Sequence, residues 1–206
     1  MTTQKRVVRG CILDRAEKGE SMLCLSLLSP ENGLLHIYQK LSRKHTSHTV
    51  DLFEEIEALI EPGKIPGQGF MKEHTTLCTR APIAHQYETL QCASTFSGIL
   101  LRNLQHTEEP DQVYALCNTA LDAWATHPYP HTTLLKTLYR YCMLEGYPVQ
   151  QDWLENQPGE QKNTIQAAIK SPLSQLEAEP PVSQPATENL LRWMKYHTDF
   201  ALPVLA

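Results

Sequence analysis

The periodicity of the apolar residues changes near residue 87, and this change limits what the chain can fold into. Before that point the apolar residues form short runs with β-branched side chains, such as Lys5 to Leu13 and Met22 to Leu28. After it they recur every three or four residues, as on one face of a helix. Strands followed by helices indicate segregated layers and not alternating βαβ units. We therefore predict an α+β chain, with a barrel of about five strands over residues 1–80 and a helical domain over residues 81–206.

The barrel strands are bounded by turn residues, with one ambiguous segment. Pro30 and Asn32-Gly33 suit a hairpin turn between the second strand and a third, Leu34 to Leu41. Phe70 to Cys78 is a further strand. Residues 51–61 favour a helix on local pattern alone, because their apolar residues share one helical face.

Three apolar stripes predict three helices in the second domain, the last of which stops at Gly146. Residues 155–186 are polar and Pro-rich, which indicates a loop with one short helix near Thr164 to Lys170. Thr187 is suited to cap a final helix. Trp124, Trp153 and Trp193 are expected to pack within this domain.

Composition narrows the class of protein. Of 206 residues, 41% are hydrophobic and 20% charged, as in an ordinary globular chain. No run approaches the roughly 18 apolar residues of a membrane helix, and the basic first residues lack the apolar stretch of a signal peptide. We expect a cytoplasmic protein without membrane contact. The six cysteines include no Cys-x-x-Cys pair, so we expect them to be reduced, buried and without metal.

The charge is unevenly distributed. Residues 1–48 hold eight Lys or Arg and four Asp or Glu, a net charge of +4. Residues 81–206 hold seven basic and thirteen acidic residues, a net charge of −6. The whole chain carries −5. Such asymmetry suggests that the first part faces an anion.

Two segments resemble the RecO family of recombination mediators. The run VVRGCILDRAEKGESMLCLSLLSPENGLLHIYQKLSRK is similar to the start of RecO proteins in its order of strand, charged loop, strand, turn and basic-ended strand. The segment LKTLYRYCMLEGYPV is similar to the family's helix that ends in a Gly-Tyr pair. The order of elements matches over roughly residues 5–200.

The resemblance implies an N-terminal OB-fold and a C-terminal α-helical domain, and it favours a strand over residues 51–60. It also implies a non-enzymatic mediator that binds and anneals single-stranded DNA, supports recombinase loading, and works with RecR and with single-strand-binding protein. Many RecO proteins carry a four-cysteine zinc site after the Gly-Tyr helix. Residues 149–206 contain no cysteine, so that module is absent here.

An OB barrel binds single strands with a basic groove and aromatic platforms. Tyr38 could stack on a base, and the nearby cations could pair with phosphates. A solvated charged face is the alternative interpretation. The predicted DNA-binding residues are Lys5, Arg6, Arg9, Arg15, Tyr38, Lys40, Arg43 and Lys44.

For the helical domain, the resemblance implies docking of the acidic, apolar tail of single-strand-binding protein. Lys136 and Arg140 lie four residues apart, on one helical face, in the segment that matches the family. We predict that they receive the tail's carboxylates. The alternative is that both are ordinary solvent-facing charges.

Other chemistries find little support. His45, His48, His74 and Cys78 have spacings that zinc could use, but loop histidines and a core cysteine explain them as well. Cys92 and Cys117 lie on apolar stripes, which disfavours a cysteine hydrolase. No phosphate-binding glycine loop is present, so no cofactor is expected. The alternative function is an OB-fold adaptor that has lost DNA binding.

Overall fold

The computed structural model describes residues 5–41, 49–107 and 109–203. The strands of this part are β1 (Arg6–Lys18), β2 (Met22–Ser29), β3 (Gly33–Lys40), β4 (Glu55–Pro62) and β5 (Gln68–Cys78). The α-helices that follow are α1 (Tyr87–Asn103), α2 (Pro110–Thr126), α3 (Pro130–Leu144), α4 (Gly159–Lys170) and α5 (Ser183–His197). Short 3-10 turns cover Ala81–His85, Leu104–His106 and Leu173–Gln175, and one π-helical turn covers Gln150–Leu154.

The five strands close into a barrel in the order β1-β2-β3-β5-β4, with β4 paired back to β1. All neighbours are antiparallel except β3 and β5, which run parallel. This is an OB-like barrel, and the helices follow it, so the predicted α+β fold class is confirmed. Alternate side chains of the strands point inward and, together with Val50 before β4, form an apolar core of Val8, Ile12, Leu23, Leu25, Leu27, Leu35, Ile37, Val50, Ile56, Ala58 and Ile60.

β1 pairs with two neighbouring strands. Its first half, Arg6 to Cys11, pairs with β4, and its second half pairs with β2. The register shifts between Ile12 and Asp14, where the strand bends from one neighbour to the other. β1 continues to Lys18, so the first five residues of the charged loop, Asp14 to Ser21, that the family resemblance implied after the first strand belong to the strand.

Gly10 lies beside this bend because a side chain would not fit there. A Cβ atom on Gly10 would lie 2.5 Å from Cδ2 of Leu27 and 2.6 Å from the carbonyl oxygen of Leu28. Close approach of β1 to β2 therefore requires glycine.

Residues 51–61 combine a turn and a strand. The predicted strand is confirmed from Glu55 onward, whereas residues 51–54 were wrongly included in it. Phe53 sits in this turn with φ of 66°, and its side chain is buried. Its N–H donates to the carbonyl of Ile12 at 3.0 Å, which ties the turn to the bend in β1.

The chain forms two compact units. The barrel unit contains residues 1–80 and also residues 104–115, which end in the first six residues of α2. The helical unit contains residues 81–103 and 116–206. The sequence-based division at residues 80 and 81 had placed residues 104–115 with the helices.

Aromatic packing organises the helical unit. Phe96 of α1 packs against Trp124 of α2 and edge-on against Tyr141 of α3, with ring centroids 6.3 and 6.0 Å apart. Trp153 and Trp193 are also buried, as predicted for the three tryptophans. Tyr141 stacks on Phe200 at 4.8 Å, which anchors the segment after α5.

The helix ends follow the sequence signals only in part. α3 ends at Leu144, and Gly146 follows with φ of 79°, as predicted for its C-terminal stop. α5 begins at Ser183, so Thr187 is not its cap. Thr187 is buried inside the helix, and its hydroxyl donates to the carbonyl of Ser183 at 2.8 Å. Pro185 led to the prediction of a loop in this segment, but proline is tolerated in the first turn of a helix.

We predict that Gly10→Ala destabilises the fold by about 1–3 kcal/mol, because the added methyl collides with β2. The matched control is Gly159→Ala at the start of α4, where no atom lies within 4 Å of the new Cβ. The control should leave the free energy of unfolding unchanged or raise it slightly. Urea denaturation measures both, and equal stability of the Gly10 variant and the unmutated protein would contradict the prediction.

Candidate nucleic-acid interface

The outer face of the barrel presents two neighbouring aromatic rings. The pairing register places Ala16, Cys24, Tyr38 and Phe70 in one row across β1, β2, β3 and β5. Tyr38 is half-buried, whereas Phe70 is 46% exposed. Their ring centroids lie 5.7 Å apart with an interplanar angle of 36°. We call Tyr38 and Phe70 the aromatic face.

Cations lie beside the aromatic face. In the adjacent row, Lys18 pairs with Met22, and Met22 pairs with Lys40. Both lysines are exposed. In the row on the other side, Ser26 lies opposite His36, and their side chains approach to 3.3 Å. The aromatic face therefore has a basic margin and a polar margin. Of the predicted residues, the structure brings Tyr38 and Lys40 together, and it adds Phe70 and Lys18.

The arginines predicted for DNA binding lie along β1 and already contact other groups of the protein. Arg6 donates to the side chain of Asn32 at 3.0 Å, and Arg15 donates to the carboxylate of Asp51 at 3.2 Å. Arg9 forms an ion pair with Glu55 at 2.5 Å. Lys5 is exposed just before β1. The predicted Arg43 and Lys44 lie outside the described residues, as do His45 and His48.

Glu55 forms a buried polar cluster that sequence reasoning did not find. Besides Arg9, its carboxylate accepts a hydrogen bond from the Tyr114 hydroxyl at 2.6 Å. The buried Arg80 guanidinium lies 4.0 Å away and donates to the carbonyl of Phe53 at 2.9 Å. Burial alone would raise the pKa of Glu55, but the hydrogen bonds from Tyr114 and Arg9 and the charge of Arg80 hold it below its usual value. The hydrogen bond between Arg9 and Glu55 also raises the pKa of Arg9.

The described residues contain no group of three or more histidine, cysteine or acidic side chains that could hold a metal ion. His74 and Cys78 both lie on β5. The six cysteines are free, and four of them are buried. Burial raises the pKa of the Cys92 thiol to about 12, so it is not ionised at neutral pH.

Lys136 is engaged inside the helical unit. Its ammonium donates to the backbone carbonyls of Ile169 at 2.7 Å and Ser171 at 2.6 Å, at the C-terminal end of α4. Burial lowers its pKa, and the charge of Arg140 lowers it further. Lys136 therefore fastens α4 to α3, while Arg140 is exposed. The predicted pair does not form a free positive strip.

A second cationic surface lies between α5 and the segment that follows it. This α5 groove, of about 650 Å³, has apolar walls and two exposed cations, Arg192 and Lys195. Neither cation forms a salt bridge with a described residue. Glu188 is the one acidic side chain among the lining residues, which are Glu188, Leu191, Arg192, Lys195, Tyr196, Phe200, Leu202 and Pro203. Sequence reasoning missed this groove because the segment after α5 carried no helical or strand pattern.

No protein-family model matches the chain, and no curated protein matches its sequence. Among the described residues, no helix is long and apolar enough to cross a membrane.

We predict that Glu55→Gln destabilises the fold by roughly 2–4 kcal/mol, because it removes a buried carboxylate that binds Arg9 and Tyr114 and faces the buried Arg80 guanidinium. Since the pKa of Glu55 is lower in the folded state, its carboxylate stabilises the fold above the unfolded value of about 4.3. This contribution is lost as the pH falls through the folded value. The variant should therefore lose the part of the acid dependence that Glu55 supplies, as measured by urea denaturation between about pH 3 and 7.

The matched control is Arg9→Gln, which removes a partner that is 56% exposed. It should cost no more than about 1 kcal/mol. A Glu55→Gln variant as stable as the Arg9→Gln variant would show that the cluster does not stabilise the barrel.

Proposed function

We propose that this chain binds single-stranded DNA across the outer face of its barrel, as a RecO-type recombination mediator would. The observation that carries the proposal is the aromatic face with Lys18 and Lys40 at its margin. OB barrels bind oligonucleotides on the surface of their second and third strands, which is where Tyr38 lies. Bases stack on exposed rings whatever their sequence, and lysines at the margin can pair with the phosphates.

The proposal centres on fewer cations than the sequence suggested. Arg6, Arg9 and Arg15 each contact a partner in the protein. Pairing of Arg9 with a phosphate would cost the most, because it would break the ion pair with the buried Glu55. Lys40 is the predicted cation that adjoins the aromatic face. Strand annealing, recombinase loading and work with a RecR-type partner belong to the proposal through the family resemblance.

The alternative function is a non-enzymatic adaptor whose barrel no longer binds DNA. The net charge of −5 favours it, since phosphate contacts require cations. The exposed Phe70 beside Tyr38 supports DNA binding instead, because two neighbouring rings offer a stacking platform for bases. DNA binding separates the two functions directly.

We predict that Phe70→Ala weakens binding of single-stranded DNA about tenfold, by loss of a stacking platform. The matched control is Leu77→Ala, because Leu77 lies on the same strand and is also 46% exposed. The control should bind as the unmutated protein does. Fluorescence anisotropy with a labelled oligonucleotide measures both affinities.

In the same assay, Lys40→Glu should reduce the slope of log affinity against log salt by about one phosphate contact. Lys162→Glu on α4 makes the same charge change in the helical unit and should leave the slope unaltered. The adaptor function is supported if the unmutated protein does not bind DNA. If it binds and neither Phe70→Ala nor Lys40→Glu changes binding, the interface lies elsewhere.

We further propose that the helical unit docks an acidic, apolar peptide such as the tail of single-strand-binding protein. The α5 groove supports this because it joins apolar walls to two cations that have no salt-bridge partner among the described residues. Lys136 is occupied by the end of α4, which leaves Arg140 as the exposed member of the sequence-predicted pair.

Arg192→Glu combined with Lys195→Glu should weaken binding of such a peptide by at least tenfold, since two charge-assisted contacts are lost. Arg140→Glu is the comparison variant and should have little effect. Anisotropy of a labelled peptide with an acidic, apolar end measures both. A loss confined to Arg140→Glu would place the dock on α3, and absence of binding would reject the peptide as a partner.

A further inference from the structure

A groove opens where β3 and β5 separate. The two strands pair only from His36 to Tyr38 on β3 and from Gln68 to Phe70 on β5. Beyond that point β5 continues to pair with β4. The resulting groove has a volume of about 490 Å³, within the range of roughly 300–1,000 Å³ typical of ligand clefts. We call it the β3–β5 groove, and it is lined by Gln39, Lys40, Met71, Lys72, Glu73, His74 and Thr76.

Gln39 is the unexpected residue in this groove. It is 9% exposed, and it takes an inward position of β3 after Leu35 and Ile37. Its side-chain oxygen Oε1 is buried and has no hydrogen-bond partner among the described residues. A buried acceptor without a donor destabilises a fold, and an apolar side chain in this place would avoid that cost. The fold alone therefore does not explain a glutamine here.

The groove adjoins the aromatic face on both strands. Gln39 follows Tyr38 on β3, and Met71 follows Phe70 on β5, so each is about 3.3 Å further along its strand. Lys40 is exposed at the groove and carries no ion pair with a described residue. Lys72 is already paired with Glu61 at 2.5 Å. Gln39 points inward and Lys40 outward, as successive residues of a strand do, and the groove between the separated strands is lined by both. A nucleotide that follows one stacked on the aromatic face and turns into this groove would meet the Gln39 amide and the Lys40 ammonium.

We propose that the β3–β5 groove receives one unpaired base that carries an exocyclic amino group and that this amino group donates a hydrogen bond to Oε1 of Gln39. Cytosine, adenine and guanine present such a donor, at positions 4, 6 and 2 respectively, whereas thymine has no exocyclic amine and presents the carbonyl oxygen O4. An acceptor facing an acceptor leaves both unsatisfied, so the groove disfavours thymine. This inference rests on the proposed binding of single-stranded DNA and adds a base preference to it.

The test compares two homo-oligomers of about 12 nucleotides, one of 5-methyldeoxycytidine and one of thymidine. These bases share the methyl group and differ along the Watson–Crick edge, where 5-methylcytosine has an amine at position 4 and an acceptor at N3, and thymine has a carbonyl at position 4 and an N3–H. The unmutated protein should bind the 5-methylcytosine oligomer roughly fivefold more tightly, as expected for one net hydrogen bond. Fluorescence anisotropy gives both affinities.

Gln39→Met keeps the length of the side chain and removes the amide. It should bind both oligomers with the affinity that the unmutated protein has for thymidine, and its Tm should be unchanged or higher, because a buried unpaired acceptor has been removed. Gln39→Glu retains acceptor oxygens and should keep the preference for 5-methylcytosine.

The outcomes separate this inference from the proposed function. Equal affinity of the unmutated protein for both oligomers, or a preference that survives in Gln39→Met, overturns base reading and leaves single-strand binding intact. A marked fall in the Tm of Gln39→Met would assign the amide to the barrel and also overturn the inference. If neither oligomer binds the unmutated protein, both the inference and the proposed function fail.

Discussion

The double pairing of β1 is the constraint on which the barrel depends. One strand of thirteen residues is the neighbour of β4 over its first half and of β2 over its second. It can do so only by bending, and the bend requires the tight contact of Gly10 with β2. The turn at Phe53 is bonded to the same bend and sets where β4 begins. Closure of the barrel therefore also sets the register of the row of outer residues that ends in Tyr38 and Phe70.

The sequence predicted an element well where the spacing of its apolar residues follows which side chains are buried. The helical stripes correspond to buried faces of α1 and α3, because the residues that share a face also share a neighbour. Residues 51–61 failed on local pattern because two elements overlap in them. Phe53 is buried from the turn, whereas Ile56, Ala58 and Ile60 alternate as a strand does. Counting Phe53 with the others produced an apparent helical face.

The residues of the candidate interface could be predicted from the sequence only in part. Tyr38 and Lys40 could be predicted, since both alternate with core residues of one strand. Phe70 could not be placed beside Tyr38 without the parallel pairing of β3 with β5, which no local pattern records. Counting cations also cannot tell which of them are already bound. Arg9 forms an ion pair with Glu55, and Lys136 donates hydrogen bonds to the backbone carbonyls at the end of α4. Both contacts join segments that are distant in the sequence.

The return of residues 104–115 to the barrel unit bears on how the protein is made. A nascent chain presents its barrel strands first, but the hydroxyl that completes the bonding of Glu55 belongs to Tyr114. Until α2 has been synthesised, the barrel holds a carboxylate that lacks one of its donors. The order of translation therefore does not coincide with the order in which the units are finished. The residues of α1 have to leave the ribosome before the barrel that precedes them in the sequence reaches its final set of contacts.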